Sequence, residues 1–366
     1  MNRTDVVAWV LSACANCLRL SQLKTLSVLV AAAVHLQRVS LANIGRLMLG
    51  TTKHQIKRCW RFCANNRVET ADALNGVIGK LLKRRRKRLL VSFDWTDLRG
   101  FHTLMAAAVL KGRSVPLCWA SCQGNTFEGH RSRNAFEESL LLVLRGMIPE
   151  QVKATILADR GFGRTELARF CQRYHFHFIL RVQPDVWVAG KRFHGKLLDY
   201  PVRKGIAVLL RDMSYRQKNP VTVNVAVRWQ KRLPKHRDEC WFLISDLNLS
   251  AARLCQLYGL RMTIEELFRD KKNKRNGWSL RDTQITKPER IDRLLLILAL
   301  AYLLLCGLGL RAQRRFSPGA WCSSNDRRAC SIFTIGRIML EKFKLKPWPA
   351  FDAIRQATLD AVPNWG

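Results

Sequence analysis

The run LLVSFDWTD, residues 89–97, decides the fold. It reads as a short apolar strand that ends in an acid, Asp94, with Asp97 placed past the strand as a turn or solvent acid. FHTLMAAAVL (101–110) and SVPLCWA (114–120) follow as further strands, with Lys111-Gly112-Arg113 as the turn between them. Three neighbouring strands of this kind make an antiparallel meander. A helix is expected over Asn134 to Arg145. VKATILADRGF (152–162) gives an apolar strand over 152–158 that stops at Asp159. Thr165 to Arg173 reads as helix and HFHFILRV (175–182) as strand. The order strand-strand-strand-helix-strand-helix-strand predicts an α/β chain with a mixed sheet.

Outward from this core the texture changes. Residues 184–249 hold alternating segments such as VTVNVAVRW (221–229) and CWFLISDL (240–247), a β-rich insertion. The helical register returns at Ser250 and runs to about Lys272, and an apolar helix covers about 288–307. Leu294 to Leu310 is a run of seventeen apolar residues, at the low edge of what spans a membrane. The charge before it and the lack of a second such segment favour a buried central helix. Upstream, Leu23, Leu26, Val30 and Val34 lie on one helical stripe. Ser40 caps one helix, and Gly50-Thr51-Thr52 forms a turn and a second cap. The helix that follows carries Lys53, Lys57, Arg58 and Arg61. Two short helices about a Gly turn, the second basic, suggest a helix-turn-helix-like DNA reader, or a basic bundle that grips phosphates without reading bases. KLLKRRRKR (80–88) is cationic at seven of nine positions and reads as a linker or a backbone clamp, with Lys83, Arg84, Arg85 and Arg86 at its centre. The chain thus divides into a helical DNA-binding part (1–80), a catalytic core in two pieces (81–183 and 250–310) around the insertion (184–249), and a basic tail (311–366) to which no fold is assigned.

Composition narrows the partners. The 366 residues carry 63 Lys and Arg against 27 Asp and Glu, a net charge of +36. So large an excess repels itself unless a polyanion offsets it, which points to nucleic acid ahead of a ribosomal or membrane-coating scaffold. At 48% hydrophobic residues, the chain has material for a core and is not disordered throughout. Twelve cysteines in a chain this long do not make a disulfide scaffold. Cys14, Cys17, Cys59 and Cys63 have spacings that a zinc site could use, but they sit in helical runs and read better as core or helix cysteines. No signal peptide is legible, so a reducing cytosol is expected.

The chemistry lies in acids at strand ends. Hydrolysis of a phosphodiester needs charge neutralised at the phosphate and at the oxygens in line with it, which two divalent cations roughly 3.5–4 Å apart can do. Mg²⁺ prefers hard oxygen ligands. Asp94 and Asp159 stand where such ligands are needed, although turns also favour Asp. The helix YGLRMTIEELFRDKK (258–272) puts Tyr258, Arg261, Glu265 and Lys272 on one face, at spacings of 3, 4 and 7. An acid among phosphate-binding neighbours fits that face. So does a surface helix laced with i,i+4 pairs such as Arg261–Glu265. Glu266 points about 100° away.

These residues resemble the DDE transposases of bacterial insertion sequences, specifically the insertion-sequence-four type with its Y-x2-R-x3-E-x6-K signature. Asp94 lies in a D-x-T setting, Asp159 in an ADRGF setting, and FILRV (178–182) is similar to the family's next strand. The likeness covers about residues 89–310. It implies a ribonuclease-H-like catalytic domain with a β-rich insertion. Asp94, Asp159 and Glu265 would hold two Mg²⁺, with Mn²⁺ as a substitute, and Tyr258, Arg261 and Lys272 would grip phosphates. A Trp of the insertion would stack on a flipped base; Trp241, in W-x-L-x-S, matches that position and Trp229 is its rival. The implied partner is double-stranded DNA, as terminal inverted repeats and target. A homodimer forms on that DNA, in the cytoplasm and away from membranes. The implied activity is Mg-dependent cut-and-paste transposition by end cleavage and 3′-OH strand transfer. The alternatives are a metal-dependent endonuclease or junction resolvase without strand transfer, and a non-enzymatic basic DNA-binding protein.

Overall fold

The computed structural model describes residues 3–82, 88–98, 100–110, 112–124, 126–127, 132–230, 239–273, 278–280, 283–326, 329–342 and 349–361. Five helices open the chain: α1 (Arg3–Ala13), α2 (Leu20–Ala33), α3 (Leu41–Arg46), α4 (Thr52–Ala64) and α5 (Thr70–Leu82). The stripe Leu23, Leu26, Val30, Val34 is buried. Ser40 caps α3 by accepting the Asn43 N–H at 3.0 Å. Gly50 turns the chain at φ +104°, a conformation that favours glycine. Thr51 then occupies the cap position of α4, but its hydroxyl receives no backbone N–H, contrary to the sequence expectation. Lys53, Lys57 and Arg61 are exposed along α4, whereas Arg58 turns inward to Thr25 Oγ1 at 3.2 Å. Lys83, Arg84, Arg85 and Arg86 lie outside the described residues.

One ten-stranded sheet follows. Its strands are β1 (Arg88–Leu98), β2 (Phe101–Leu110), β3 (Arg113–Gln123), β4 (Lys153–Ala158), β5 (His177–Arg181), β6 (Trp187–Gly190), β7 (Phe193–Lys196), β8 (Ala207–Tyr215), β9 (Val221–Gln230) and β10 (Glu239–Ser245). Their order in space is β3-β2-β1-β4-β5-β10-β9-β8-β6-β7. The meander β1–β3 is antiparallel, and β1, β4 and β5 are parallel. That is the ribonuclease-H-like arrangement, with α6 (Arg133–Met147) and α7 (Thr165–Arg173) as the connections on either side of β4. β1 is longer than its apolar run suggests. Asp97 lies inside it, paired with His102 across the hairpin, because a strand edge at the surface tolerates an exposed acid. The insertion is not a separate sheet. β10 pairs antiparallel with β5 and so closes an edge that would otherwise stay open.

Side chains alternate between the sheet faces. Leu89, Val91 and Phe93 join the main core. Leu90, Leu157, Ile179 and Leu243 pack instead under α8 (Ala251–Gly259). A 3₁₀ turn, Leu260–Met262, joins α8 to α9 (Thr263–Lys272), so the continuous helix expected from Ser250 to Lys272 is broken into two. Against the main face lies α10 (Pro288–Arg315), about eight residues longer at its C-terminal end than the expected helix over 288–307. It is long and apolar enough to cross a membrane, and its most apolar stretch is wholly buried within the protein.

The tail is not an extended basic segment. It folds as α11 (Ile332–Lys342) and α12 (Ala350–Asp360), whose apolar residues join the core on α10. Close approach requires glycine here: a Cβ on Gly309 would come within 1.8 Å of the Ile332 carbonyl oxygen, and one on Gly336 within 1.9 Å of that of Leu305. Gly309→Ala is therefore expected to cost about 1–3 kcal/mol by forcing α10 and α11 apart. A lowered urea midpoint with unchanged m-value checks this. Arg293 at the start of α10 ties the halves of the molecule together by donating to the carbonyls of Cys63 (3.1 Å) and Val68 (3.1 Å).

Candidate active site

The parallel register of β1 and β4 aligns Phe93 with Ala158, so Asp94 and Asp159 follow as the next residues on the two chains, where β4 ends while β1, contrary to the expectation of a strand end at Asp94, runs on to Leu98. Asp94 lies four residues beyond Leu90 and Asp159 two beyond Leu157, both even steps from positions that face α8. Asp94 Oδ1 accepts the Trp95 N–H at 2.9 Å. Asp159 heads a 3₁₀ turn and accepts the Gly161 N–H at 2.9 Å. The third carboxylate comes from α9. Arg261 bridges two of the three, donating to Asp94 Oδ2 at 3.1 Å and to Glu265 Oε1 at 2.8 Å. The choice between neighbouring glutamates follows from the same contacts. Glu265 faces Arg261, whereas Glu266 turns to Arg113 (3.3 Å) and Arg269 (2.9 Å).

Electrostatics at Asp94 are set by burial, which pushes its carboxyl up to about 6. Arg261 pulls it down, and Asp159 and Glu265 push it further up. Two carboxylates that raise the pKa of a third mark a site short of positive charge. Arg261, with its side chain 10% exposed, supplies part of that charge. Among the described residues no three His, Cys, Asp or Glu side chains stand close enough to hold a metal ion between them. The donors nevertheless fit a hard divalent cation. They are all carboxylate oxygens, from inside β1, from the end of β4 and from a helix, and a guanidinium already lies between two of them as a stand-in cation.

The other expected residues are distributed as follows. Tyr258 is 3% exposed; burial raises its phenol, and its ring lies 6.0 Å from the Arg261 guanidinium. Trp241 packs edge-on against Tyr258 at 5.1 Å, with its indole N–H buried and without a partner. Its rival Trp229 is anchored elsewhere, donating to the Val202 carbonyl at 3.1 Å. Lys272 ends α9 with its ammonium 5.8 Å from the Phe268 ring. Lys53, Lys57 and Arg61 form a separate basic face on α4. All twelve cysteines are free, and burial raises the thiols of Cys14, Cys59 and Cys63, each to about 12.

Two residues at the site carry no motif and escape a reading of the sequence. Glu137 lies on the buried face of α6, and Arg164 follows the turn headed by Asp159. The available signal was an acid in line with the apolar stripe Leu140, Leu141, Leu144.

A search among curated proteins found no match. Residues 85–304 match the family model described as Transposase DDE domain. That span is more than half the chain and contains Asp94, Asp159 and Glu265. The chain therefore belongs to the DDE-domain transposases, DNA-cleaving enzymes whose family chemistry depends on divalent metal.

Proposed function

We propose that the chain is a transposase of the insertion-sequence-four type, which cuts DNA at the ends of its element and joins the freed 3′-OH to target DNA. Its signature would be Tyr258, Arg261, Glu265 and Lys272. The observation that carries this reading is that Asp94 and Asp159 stand side by side just past the last paired residues of the parallel strands β1 and β4, while Arg261 ties Asp94 to Glu265 of α9. Two Mg²⁺ ions, or Mn²⁺ in their place, would supply charge neutralisation at the attacked phosphate and an activated water.

The protein's own groups do the rest. Asp94, Asp159 and Glu265 serve as the oxygen ligands, on rigid elements as precise geometry requires. Asp94 must lose its proton to ligate, so the burial that raises its pKa also makes ligation compete with protonation. Arg261 forks between carboxylates in the present arrangement and can fork onto a phosphate when a cation takes its place. Lys272 adds a point charge two helical turns beyond Glu265. Trp241, half-buried and edge-on to the buried Tyr258 ring, would be the ring that stacks on a flipped base. The exposed face of α4, with Lys53, Lys57 and Arg61, would grip the element's end, and the charge of +36 holds the DNA electrostatically. Transposition needs two ends brought together, which a homodimer on DNA would do in the cytoplasm.

The test separates strand transfer from simple cutting. The protein is incubated with Mg²⁺, a supercoiled plasmid and a labelled duplex that carries the element's end, already cut to a 3′-OH. Covalent joining of label to plasmid is the expected result. Cleavage of uncut ends without any joining would make the chain a metal-dependent endonuclease and defeat the proposal.

A further inference from the structure

We infer that Glu137 is a positioning residue that fixes the spacing of the two aspartates from the opposite face of the sheet. The inference rests on the reading of Asp94 and Asp159 as metal ligands. Glu137 is 2% exposed and sits in line with the apolar stripe by which α6 packs on the sheet. A leucine would continue that stripe; a buried charge there costs free energy unless it is paired and hydrogen-bonded.

Its partners are specific. Glu137 Oε1 accepts the Trp95 indole N–H at 2.8 Å and lies 3.3 Å from Arg133 Nε. Its Oε2 accepts an Arg164 N–H at 2.5 Å. Trp95 is the residue after Asp94, and its own backbone N–H donates to Asp94 Oδ1. The Trp95 ring is held between Phe136, stacked at 5.5 Å, and the Arg133 guanidinium at 4.8 Å. Arg164 closes the turn that Asp159 heads, donating its backbone N–H to the Phe162 carbonyl at 2.8 Å. Its side chain also reaches Glu138 at 3.5 Å. A single carboxylate thus connects the residue next to one ligand with the turn behind the other. Groups that orient metal ligands in this way typically change metal affinity by about 10–100-fold when lost.

Two near-isosteric variants keep the packing and remove single bonds. Glu137→Gln can still accept from Trp95 but loses the charge facing Arg164. Trp95→Phe keeps a ring but loses the indole N–H. The full chain is titrated with Mn²⁺ in a calorimeter, and Mg²⁺ dependence of plasmid nicking and thermal unfolding of the metal-free protein are followed in parallel, with Asp94→Asn as reference. Asp94→Asn should abolish Mn²⁺ binding. Glu137→Gln and Trp95→Phe should weaken it about tenfold and raise the Mg²⁺ needed for half-maximal nicking in proportion. If both bind Mn²⁺ within about twofold of wild type while Asp94→Asn does not bind, Glu137 is a packing residue only and the inference is lost, whatever the unfolding temperatures do. If Asp94→Asn binds as well as wild type, it is the ligand assignment itself that fails.

Discussion

Replacing Asp94, Asp159 or Glu265 by the matching amide is expected to lower DNA strand cleavage by about 10³-fold or more in each case. Losing one ligand from a shared pair of cations removes charge stabilisation of several kcal/mol at the transition state, and about 1.4 kcal/mol corresponds to tenfold in rate. Asn and Gln keep the size and the hydrogen-bond acceptor, so Asp94→Asn still receives the Trp95 N–H and Glu265→Gln still receives Arg261. DNA binding should remain close to wild type, because affinity comes chiefly from phosphate neutralisation by a chain with net charge +36. Glu266→Gln is the control. Glu266 is occupied with Arg113 and Arg269 on another face of α9, so cleavage should stay within a few-fold of wild type. A Mg²⁺-dependent nicking assay with gel-shift binding in parallel reads all four variants. Cleavage at the wild-type rate by any one of the first three would remove that residue from the site.

How far the sequence could be read is itself explained by physics. Asp159 was legible because a buried parallel strand is apolar throughout and stops abruptly at a polar residue; Asp94 lies inside β1, where its parallel pairing with β4 stops, while β1 itself runs on to Leu98 beside β2. The pairing of β1 with β4, which puts the two acids side by side, was not read from the order of elements and comes from the structure. The choice of Glu265 over Glu266 needed helix geometry, which gave the face, and Arg261, which gives that face its partner. Other features had no local signature. That the insertion extends the same sheet depends on β10 meeting β5, a contact between residues about sixty positions apart, such as Ile244 and Leu180. No fold was legible in the tail because its charge masks short apolar stripes: Phe333, Ile335 and Met339 are buried where α11 packs on α10, a close approach that Gly309 permits. The break between α8 and α9 is a 3₁₀ turn with Gly259 at its N-cap, and a lone glycine is tolerated within a helical pattern, so it did not by itself announce the break.

Lys271→Met should stabilise the protein by a few kcal/mol at neutral pH, and the gain should disappear as pH rises toward the ordinary lysine range. Lys271 is 1% exposed. Its ammonium position lies 3.7 Å from Met105 Sδ and 6.0 Å from the centre of the Trp119 ring, with no carboxylate in ion-pair reach among the described residues. The neighbouring acid, Asp270, is already taken by Arg113 at 3.0 Å and by the Tyr302 hydroxyl at 2.9 Å. Burial alone therefore lowers the Lys271 amine to about 7 from its usual 10.5. Between those two values the unfolded chain binds a proton that the folded chain does not, so stability of the wild type rises with pH across that window, by at most about 1.4 kcal/mol per unit. Below about 7 both states are protonated and the full penalty of the buried charge is present. Methionine has a similar length and no charge, so the variant lacks this penalty at every pH. Urea unfolding at pH 6, 8 and 10 should show the gap between variant and wild type largest at pH 6 and closing by pH 10. A gap that stays constant over that range would mean the amine keeps its charge in the folded state through a partner or a water. The adjacent Lys272 provides the contrast. It ends the same helix on the Glu265 face, only partly buried, so Lys272→Met should leave the pH dependence of stability as it is and act on DNA instead.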